Sequence, residues 1–233
     1  MTRTAIVAAM HEELSAVLAL MPDAHREAAG GREFLVGHLH GQAVVAVLSR
    51  IGKVAAATTA TALIERFGIE RILFTGVAGG LAAGVRRGDV VVADAFLQHD
   101  MDASPLFPRY EVPLSGSASF PTDVALTSRL AHAVQRALPG ARVHRGLVVS
   151  GDRFIASAAD SQALQRALPQ ALAVEMEGAA FAQVCSDYGV PFAAVRTVSD
   201  RADDAAHGDF LSFIDQVASR HSAAIVEAFL AAP

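Results

Sequence analysis

Three acidic residues stand where predicted β-strands end or the next helix begins: Glu13, Glu177 and Asp200. Ligands of α/β proteins bind beyond the carboxyl ends of the strands, so these side chains can converge at one edge of a sheet. Helix capping or first-turn dipole complementarity explains most acidic residues at helix starts, and it is sufficient for any one of the three alone. Together they favour a site in which one carboxyl donates a proton and another accepts one.

Other polar segments at the predicted strand ends carry weaker signals. Residues 75–80, Thr-Gly-Val-Ala-Gly-Gly, lack the Lys-Ser/Thr of a P-loop and the spacing of a dinucleotide fingerprint, so we expect their glycines to let the backbone approach a flat ligand. Asp152 is interpreted as a turn residue. Residues 99–102, His-Asp-Met-Asp, could suggest a metal, but without a second His or Cys cluster a structural loop is favoured. Cys185 lies in a helical Ala/Val context, and we expect it to be buried and inert.

Strands and helices alternate along the chain. Apolar, β-branched runs predict strands over residues 4–9, 34–38, 43–48, 71–75, 89–93, 145–149, 171–174 and 192–198. Helical spacing predicts helices over 13–21, 53–67, 122–138, 177–188 and about 210–230. Several strands are apolar at successive positions, which is typical of strands covered on both faces. The pattern predicts an α/β fold with a largely parallel or mixed sheet, and the absence of a linker predicts one domain over residues 1–233.

Composition excludes several classes of protein. The 233 residues are 52% hydrophobic and 18% charged, too apolar for a disordered chain. The net charge is −5 and no Lys/Arg block stands out, which argues against nucleic acid or an anionic membrane as the partner. The longest uncharged run has about 14 residues, short of the ~20 that a transmembrane helix needs, and no signal-peptide core is present. A single cysteine excludes an intramolecular disulfide framework, and we expect a soluble, cytoplasmic protein.

The segment from Gln98 to Thr122 departs from this alternation. It contains four prolines and three aromatic residues and has little periodicity. A loop of this length in a compact domain is usually functional or forms an interface. Because Leu106, Phe107 and Tyr110 have no evident helix or strand to bury them, we expect a homodimer whose interface uses this loop.

Seven segments, in order along the chain, carry a resemblance to a known family: AAMHEEL, SRIGKVAAA, FTGVAGGL, RRGDVVVAD, VVSGDRFI, AVEMEGAA and RTVSD. The resemblance extends over about residues 5 to 213, and VEMEGAA followed by RTVSD is the most specific pair. Together they resemble the bacterial 5′-methylthioadenosine/S-adenosylhomocysteine nucleosidases of the nucleoside phosphorylase/hydrolase superfamily. The resemblance implies a three-layer α/β/α sandwich around a mixed, barrel-like sheet, a homodimer, and no metal or organic cofactor.

The resemblance also implies a role for each matching residue. Glu13 would activate water, and Asp200 would be the general acid directed at the purine. The other matching positions would bind a purine nucleoside: Glu175, Met176 and Glu177 at the ribose, Phe154 and Ile155 at the purine, Arg196 and Ser199 in support of the ribose end and the acid, and Met10, Ile51, Ala78, Gly79 and Phe210 along the pocket.

Two positions depart from the family pattern. Val77 stands where many members have Ser, which removes one possible hydrogen bond near the sugar. Residues 99–114 keep the opening HD-x-D of the family loop and then diverge. Because that loop in the family reaches the partner subunit's pocket and covers the 5′ substituent, the divergence leaves the preference for the 5′ group open.

The chemistry fits the same residues independently. Cleavage of an N-glycosidic bond needs an acid for the purine, a base for water and an anion near the cationic sugar. A phosphorylase would need phosphate-binding groups at the end of the first strand, where His11-Glu12-Glu13 would instead repel phosphate. Hydrolysis is favoured. A hydrolase for another purine nucleoside such as futalosine, a phosphorylase and a non-catalytic nucleoside-binding protein remain as alternatives.

Helix geometry distinguishes Glu13 from its neighbour Glu12. The apolar residues between positions 14 and 21 define one helix face. At about 100° per residue, Glu13 lies roughly 90° from the centre of that face and Glu12 roughly 170° away. We therefore expect Glu13 to reach a buried cleft and Glu12 to point into water.

Overall fold

The chain folds around one mixed β-sheet. The computed structural model describes residues 2–203, 205–213 and 217–231. The strands in these ranges are β1 (Thr4–Ala8), β2 (His25–Ala29), β3 (Arg32–Leu39), β4 (Gln42–Leu48), β5 (Arg71–Gly80), β6 (Val90–Gln98), β7 (Ser119–Pro121), β8 (Val143–Ser150), β9 (Ala171–Glu175) and β10 (Phe192–Asp200). The helices are α1 (His11–Ala19), α2 (Lys53–Phe67), α3 (Val124–Ala137), α4 (Ala158–Ala167), α5 (Gly178–Tyr188), α6 (Ala206–Phe213) and α7 (Ser219–Ala231).

Hydrogen bonds close part of this sheet into a ring. The strand order β10-β6-β8-β9-β5 is completed by parallel pairing of β5 with β10. The strands β1, β4, β3 and β2 continue outward from β5, and β7 pairs with β6. Pairing is parallel between β1 and β5 and antiparallel between β10 and β6. The predicted α/β fold with a mixed, barrel-like sheet is confirmed.

Helices cover both faces of the sheet. Ala5 and Val7 of β1 belong to the apolar core that includes residues of α2 and α5. Ile6 and Ala8, which point the other way, belong to the core that includes residues of α1, α3 and α7. The successive apolar residues of the strand therefore meet a helical layer on each side, as predicted, and the result is a three-layer α/β/α arrangement. Across the described ranges, none of the helices is long and apolar enough to span a membrane.

Strand β5 is longer than the sequence predicted. The predicted strand ended at residue 75, before most of the Gly-rich segment, but the strand continues to Gly80. Strand β10 pairs along this extension, and Gly79 and Gly80 pair with β9. Because the neighbouring strands supply backbone hydrogen-bond partners, the glycines need no turn, and residues 76–80 form part of the sheet.

Several elements lay outside the predictions for a common reason, which is that they bury little apolar surface. Strand β2 reads His-Arg-Glu-Ala-Ala at the edge of the sheet, β7 has only three residues, and Leu164 is the buried residue of α4. The single helix predicted over 210–230 is two helices, α6 and α7, and residues 214–216 of that prediction lie outside the described residues.

The 98–122 loop is more ordered than the sequence indicated. Gln98 ends β6, and β7 pairs with β6 near the other end of the loop, where Phe120 is buried. Tyr110 packs against the apolar cluster that contains Ile155, so the expectation that it lacks burial is wrong. Leu106 is 84% exposed and fits the expectation.

Candidate active site

A cleft of about 290 Å³ opens at the carboxyl ends of β1, β5, β9 and β10. Twelve of the fourteen predicted site residues line it: Met10, Glu13, Ile51, Ala78, Gly79, Phe154, Glu175, Met176, Glu177, Ser199, Asp200 and Phe210. The cleft therefore brings together residues from positions 10 to 210 of the sequence, as the strand-end argument predicted.

The other two predicted residues lie beside or beneath the cleft. Ile155 lines a smaller adjoining cavity that shares Phe154 and Asp200 with the main one. Arg196 is 1% exposed, and its guanidinium donates to Glu175 Oε2 at 2.8 Å. The same guanidinium lies 3.9 Å from the centre of the Phe74 ring. Arg196 therefore lies beneath the cleft, where it holds Glu175, and does not line it.

Glu13 is held by the backbone at the start of α1. Its Oε2 accepts hydrogen bonds from the amides of Ala9 and Met10, both at 2.9 Å, and its Oε1 accepts one from the amide of Val77 at 3.0 Å. Burial raises the pKa of Glu13 above its ordinary value, although these hydrogen bonds and the charge of Arg196 oppose the rise. Glu13 is thus a buried carboxyl whose proton affinity suits it to accept a proton from a bound molecule.

Glu12 and Glu13 differ as helix geometry predicted. Glu13 is 3% exposed, whereas Glu12 is half-buried and does not line the cleft. The prediction that Glu12 points fully into water is therefore too strong, but the assignment of Glu13 to the cleft is confirmed.

Asp200 lies at the end of β10 with both carboxyl oxygens in contact with neighbouring groups. The Ser199 hydroxyl donates to Oδ2 at 2.7 Å, and the Ala202 amide donates to Oδ1 at 2.7 Å. Asp200 is 1% exposed. These contacts fix the plane of the carboxyl, so that a proton on it would be presented in one direction.

Two glycines of β5 leave room for these carboxyl groups. A Cβ at Gly76 would lie 2.7 Å from Glu13 Oε1, and a Cβ at Gly79 would lie 2.9 Å from Asp200 Oδ1. At about 3.3 Å per residue, the two glycines are roughly 10 Å apart along the strand. The Gly-rich segment therefore makes room for both carboxyl groups, a role that the sequence did not suggest.

Glu175 is fully engaged by groups of the protein. Besides Arg196, it accepts hydrogen bonds from the Gly178 amide at 2.8 and 3.0 Å and from the Ser150 hydroxyl. The Glu177 amide also donates to it at 3.2 Å. Glu175 therefore organises the turn that leads into α5 and has little hydrogen-bonding capacity left for a ligand.

Glu177 has far fewer partners than Glu175. Its Oε1 accepts one hydrogen bond, from the Gly52 amide at 2.8 Å. Burial and the neighbouring charge of Glu175 raise the pKa of Glu177 to about 8, against the smaller opposing effects of the Gly52 amide and Arg196. A cationic ligand would favour the ionised form of this carboxyl, and the hydrogen bonds among the described residues leave Glu177 Oε2 available to a ligand.

Aromatic side chains form the rim. The rings of Phe154 and Phe210 meet edge to face with their centres 5.7 Å apart, and Phe154 is 41% exposed. Ile51, which is 55% exposed, also lies at the rim. Such surfaces suit the flat face of a base and an apolar substituent.

Other candidate groups in the sequence do not form a second reactive site. Within residues 2–203, 205–213 and 217–231, no group of three or more His, Cys, Asp or Glu side chains is arranged to hold a metal ion. Burial raises the pKa of Cys185 to about 12, as expected of an inert thiol.

Comparison with known proteins bears on the same residues. A family model described as the phosphorylase superfamily matches residues 3–231. This chain belongs to the phosphorylase superfamily.

Within that superfamily, similar proteins carry two different names. A 5′-methylthioadenosine/S-adenosylhomocysteine nucleosidase of Shewanella denitrificans is 36% identical over 225 residues, 97% of each chain. The crystal structure of the nucleosidase of that name from Neisseria meningitidis, in complex with methylthio-immucillin-A, has a TM-score of 0.94 at 34% identity and covers 100% of both chains. A futalosine hydrolase of Helicobacter pylori has a TM-score of 0.91 at 34% identity, over 98% of this chain and 97% of that chain. The resemblance drawn from the motifs is confirmed.

Four residues that line the cleft in this superfamily member were not among the predicted site residues: Ala9, Val77, Val174 and His207. Three of them are apolar neighbours in sequence of predicted site residues. His207 lies one helical turn before Phe210 on α6, so a helix begun at residue 206 would have shown that both share a face. The predicted helix begins about four residues too late.

Proposed function

We propose that this protein hydrolyses the N-glycosidic bond of 5′-methylthioadenosine and S-adenosylhomocysteine and releases adenine and the 5′-thio-substituted ribose. The observation that carries the proposal is the pair of buried carboxyls, Glu13 and Asp200, which line one cleft and are each held by their own hydrogen bonds, together with Glu177, which lines the same cleft. The nucleosidase names and the immucillin complex among similar proteins support the same substrate class.

Each carboxyl takes one part of the reaction in this proposal. Asp200 gives its proton to the purine as the bond from the purine nitrogen to C1′ breaks. Water forms a bond to C1′ and loses a proton to Glu13. Glu177 offers a carboxylate oxygen to the ribose hydroxyls and stabilises the positive charge that develops on the sugar. Phe154 contacts the face of the purine.

Hydrolysis, and not phosphorolysis, follows from the surroundings of Glu13. The N-terminus of a helix is otherwise a favourable place for a phosphate, because its free amides point outward. Here the amides of Ala9 and Met10 already donate to the carboxylate of Glu13. A phosphate dianion would lose those donors and meet a buried carboxyl instead.

A futalosine-type nucleoside is the second candidate substrate, because a futalosine hydrolase resembles this chain almost as closely as the nucleosidase structure does. The test is a comparison of kcat/KM for base release from methylthioadenosine, S-adenosylhomocysteine and futalosine. We expect adenine release from the two thio-nucleosides to exceed base release from futalosine. Faster base release from futalosine would make a futalosine-type nucleoside the substrate. If no base were released from any of the three nucleosides, a non-catalytic nucleoside-binding protein would be favoured.

We also propose that the chain forms one nucleosidase domain, that it works in the cytoplasm, and that it forms a homodimer through the 98–122 loop. Leu106 and Leu114 of this loop are 84% and 92% exposed, which supports a contact surface there. Leu106→Asp should lower the mass measured by sedimentation toward that of a monomer, whereas Val124→Asp, at a position that is 78% exposed outside the loop, should leave it unchanged. Equal masses for Leu106→Asp and the wild type would contradict the interface.

A further inference from the structure

Asp100 lies outside the cleft and joins two segments that contribute to it. Its Oδ1 accepts a hydrogen bond from Lys53 Nζ at 2.6 Å, and its Oδ2 accepts one from the Asp152 amide at 2.9 Å. Lys53 begins α2, and Asp152 follows β8. The HD-x-D motif, for which the sequence favoured a structural loop, thus supplies a carboxylate that links these two segments.

Asp152, interpreted from the sequence as a turn residue, completes the connection. Its Oδ1 accepts a hydrogen bond from the Lys53 amide at 2.8 Å. Lys53 Nζ also donates to Gln98 Oε1 at 3.0 Å, and Gln98 Nε2 donates to Gln183 Oε1 of α5 at 2.8 Å. The links among Asp100, Lys53 and Asp152 form a closed loop of contacts, which we call the latch.

The segments joined by the latch carry cleft residues. Gly52, adjacent to Lys53, donates its amide to Glu177 Oε1, and Ile51 lies at the rim. Phe154 stands two residues after Asp152 and contributes an exposed ring to the same rim. A shift of either segment would therefore move groups that the proposed function assigns to the ribose and the purine.

Electrostatics favours a charged Asp100. Burial by itself would raise the pKa of Asp100, but the hydrogen bonds from Lys53 and from the Asp152 amide, together with the Lys53 charge, lower it below its ordinary value. The latch is thus formed by an ionised carboxylate that uses both of its oxygens.

We propose that Asp100 and Asp152 are positioning residues that, through Lys53, hold the 51–52 and 154 segments in the geometry that binds the nucleoside. This inference rests on the proposed function. Binding normally has to order flexible loops, and a site whose loops are ordered beforehand avoids that cost. Loss of the latch should therefore weaken substrate binding and raise KM, while the chemical step, which depends on Glu13 and Asp200, changes much less.

The two carboxylates use their oxygens differently, which gives a matched test. Asp152 accepts the Lys53 amide through one oxygen, so Asp152→Asn keeps that acceptor and Asp152→Ala removes it. Asp100 accepts different donors on each oxygen, so Asp100→Asn keeps at most one of the two contacts and Asp100→Ala keeps none. Lys53→Met removes the ammonium but keeps the backbone amide that Asp152 accepts.

The kinetic experiment measures kcat and KM with methylthioadenosine for these variants, with thermal unfolding to verify that each is folded. We expect Asp152→Ala, Asp100→Ala and Lys53→Met to raise KM about tenfold with kcat within about threefold, on the scale of one tenfold step in affinity. Asp152→Asn should stay within about twofold of the wild-type KM, and Asp100→Asn should not. The double variant Asp100→Ala/Lys53→Met should raise KM by less than the product of the two single effects, because both changes remove the contact between Lys53 and Asp100.

A second measurement keeps the latch separate from the proposed reaction. Amide hydrogen exchange of the free protein should be faster over residues 51–54 and 152–155 in Asp100→Ala than in the wild type, with β1 unchanged. Unchanged exchange in these segments, an unchanged KM, or equal KM values for Asp152→Asn and Asp152→Ala would overturn the inference. Absence of adenine release from the wild type would instead overturn the proposed function, and hydrogen exchange would still decide on the latch.

Discussion

The floor and the rim of the cleft differ in the chemistry and in the exposure of their side chains. The floor holds Glu13, Glu177 and Asp200, all nearly inaccessible to water and each oriented by backbone or hydroxyl donors. The rim consists of apolar side chains that are far more exposed, such as Ile51 at 55% and Phe154 at 41%. Charges fixed in a buried site act strongly on a developing charge and need no rearrangement, whereas an exposed apolar surface gives contact area without fixed direction. In the proposed function, this difference gives bond cleavage to the floor and affinity to the rim.

Glu175 and Glu177 are only two positions apart, and both line the cleft, but their surroundings differ. Glu175 receives the buried guanidinium and several amide and hydroxyl donors, whereas Glu177 receives one amide. Glu175 therefore has a structural role, whereas Glu177 retains an oxygen for a ligand. Residue type and proximity alone do not separate these roles, because the number of donors decides which carboxyl retains free acceptor capacity.

The largest expected effect lies at the floor, at Glu13. Glu13→Gln should abolish most adenine release, because an amide cannot accept a proton from water, and the loss should be about 10² or more. Glu12→Gln is the matched control, since Glu12 precedes Glu13 in the same helix and does not line the cleft. Initial rates of adenine release measure both variants. An inactive Glu12→Gln variant together with an active Glu13→Gln variant would assign the base to Glu12 instead.

The second-largest effect on adenine release is expected at Asp200. Asp200→Asn keeps the contact with the Ala202 amide but cannot give a proton to the purine, so turnover should fall by about 10² while substrate binding persists. Turnover and equilibrium binding of methylthioadenosine to this variant are the quantities to measure. Adenine release near the wild-type rate would contradict its role as the acid.

The protonation of Glu177, a residue of the floor, affects the stability of the folded protein. The pKa of Glu177 is about 8 in the folded protein, whereas 4.5 is the ordinary value of the side chain. Between these values the folded state holds a proton that the unfolded state has released, so this residue lowers stability progressively as pH rises from about 4.5 to about 8. Glu177→Gln should therefore raise Tm at pH 9 by at least ~3 °C, on the scale of about 1 kcal/mol for a chain of this size, and by much less at pH 5.

The control for Glu177 is again Glu12→Gln, which removes a half-buried carboxyl outside the cleft. Thermal unfolding of the wild type and both variants at pH 5, 7 and 9 gives the comparison. Parallel Tm curves for the wild type and Glu177→Gln would mean that Glu177 is ionised at neutral pH in the folded protein.

The smallest effect is expected at the rim. Phe154→Leu should raise KM about fivefold with little change in kcat, because contact between an aromatic ring and a base contributes about 1–3 kcal/mol and leucine retains part of it. Tyr188→Leu is a suitable control, since Tyr188 is similarly exposed, at 44%, and does not line the cleft. A large loss of kcat in Phe154→Leu would remove the distinction between floor and rim.

Sequence reasoning reached most of the fold because the central strands are strongly apolar. Residues 4–8 and 192–200 are buried throughout, and their β-branched and small residues match strands covered on both faces. The misses are elements with little buried surface, such as β2 and α4, which leave no apolar period to detect. The extension of β5 to Gly80 was missed because glycine weakens the strand signal, whereas here glycine makes room for Glu13 and Asp200.

The sequence predicted which residues line the candidate site better than it predicted how they contact one another. Residues at strand ends and the family motifs gave twelve residues that line the cleft. The position of Arg196 beneath it and the latch at Asp100 and Asp152 depend on side-chain directions and on contacts between residues about 50 to 120 positions apart. No local pattern in the sequence encodes such contacts.

Hydrolysis of methylthioadenosine by the wild-type protein in ¹⁸O-labelled water, with and without inorganic phosphate, tests most directly whether the floor carboxyls activate water. Because the amides around Glu13 are already taken, phosphate should leave the rate unchanged, and the released methylthioribose should carry one ¹⁸O at C1′ in both cases. A methylthioribose 1-phosphate product, formed faster as phosphate is added, would contradict the account.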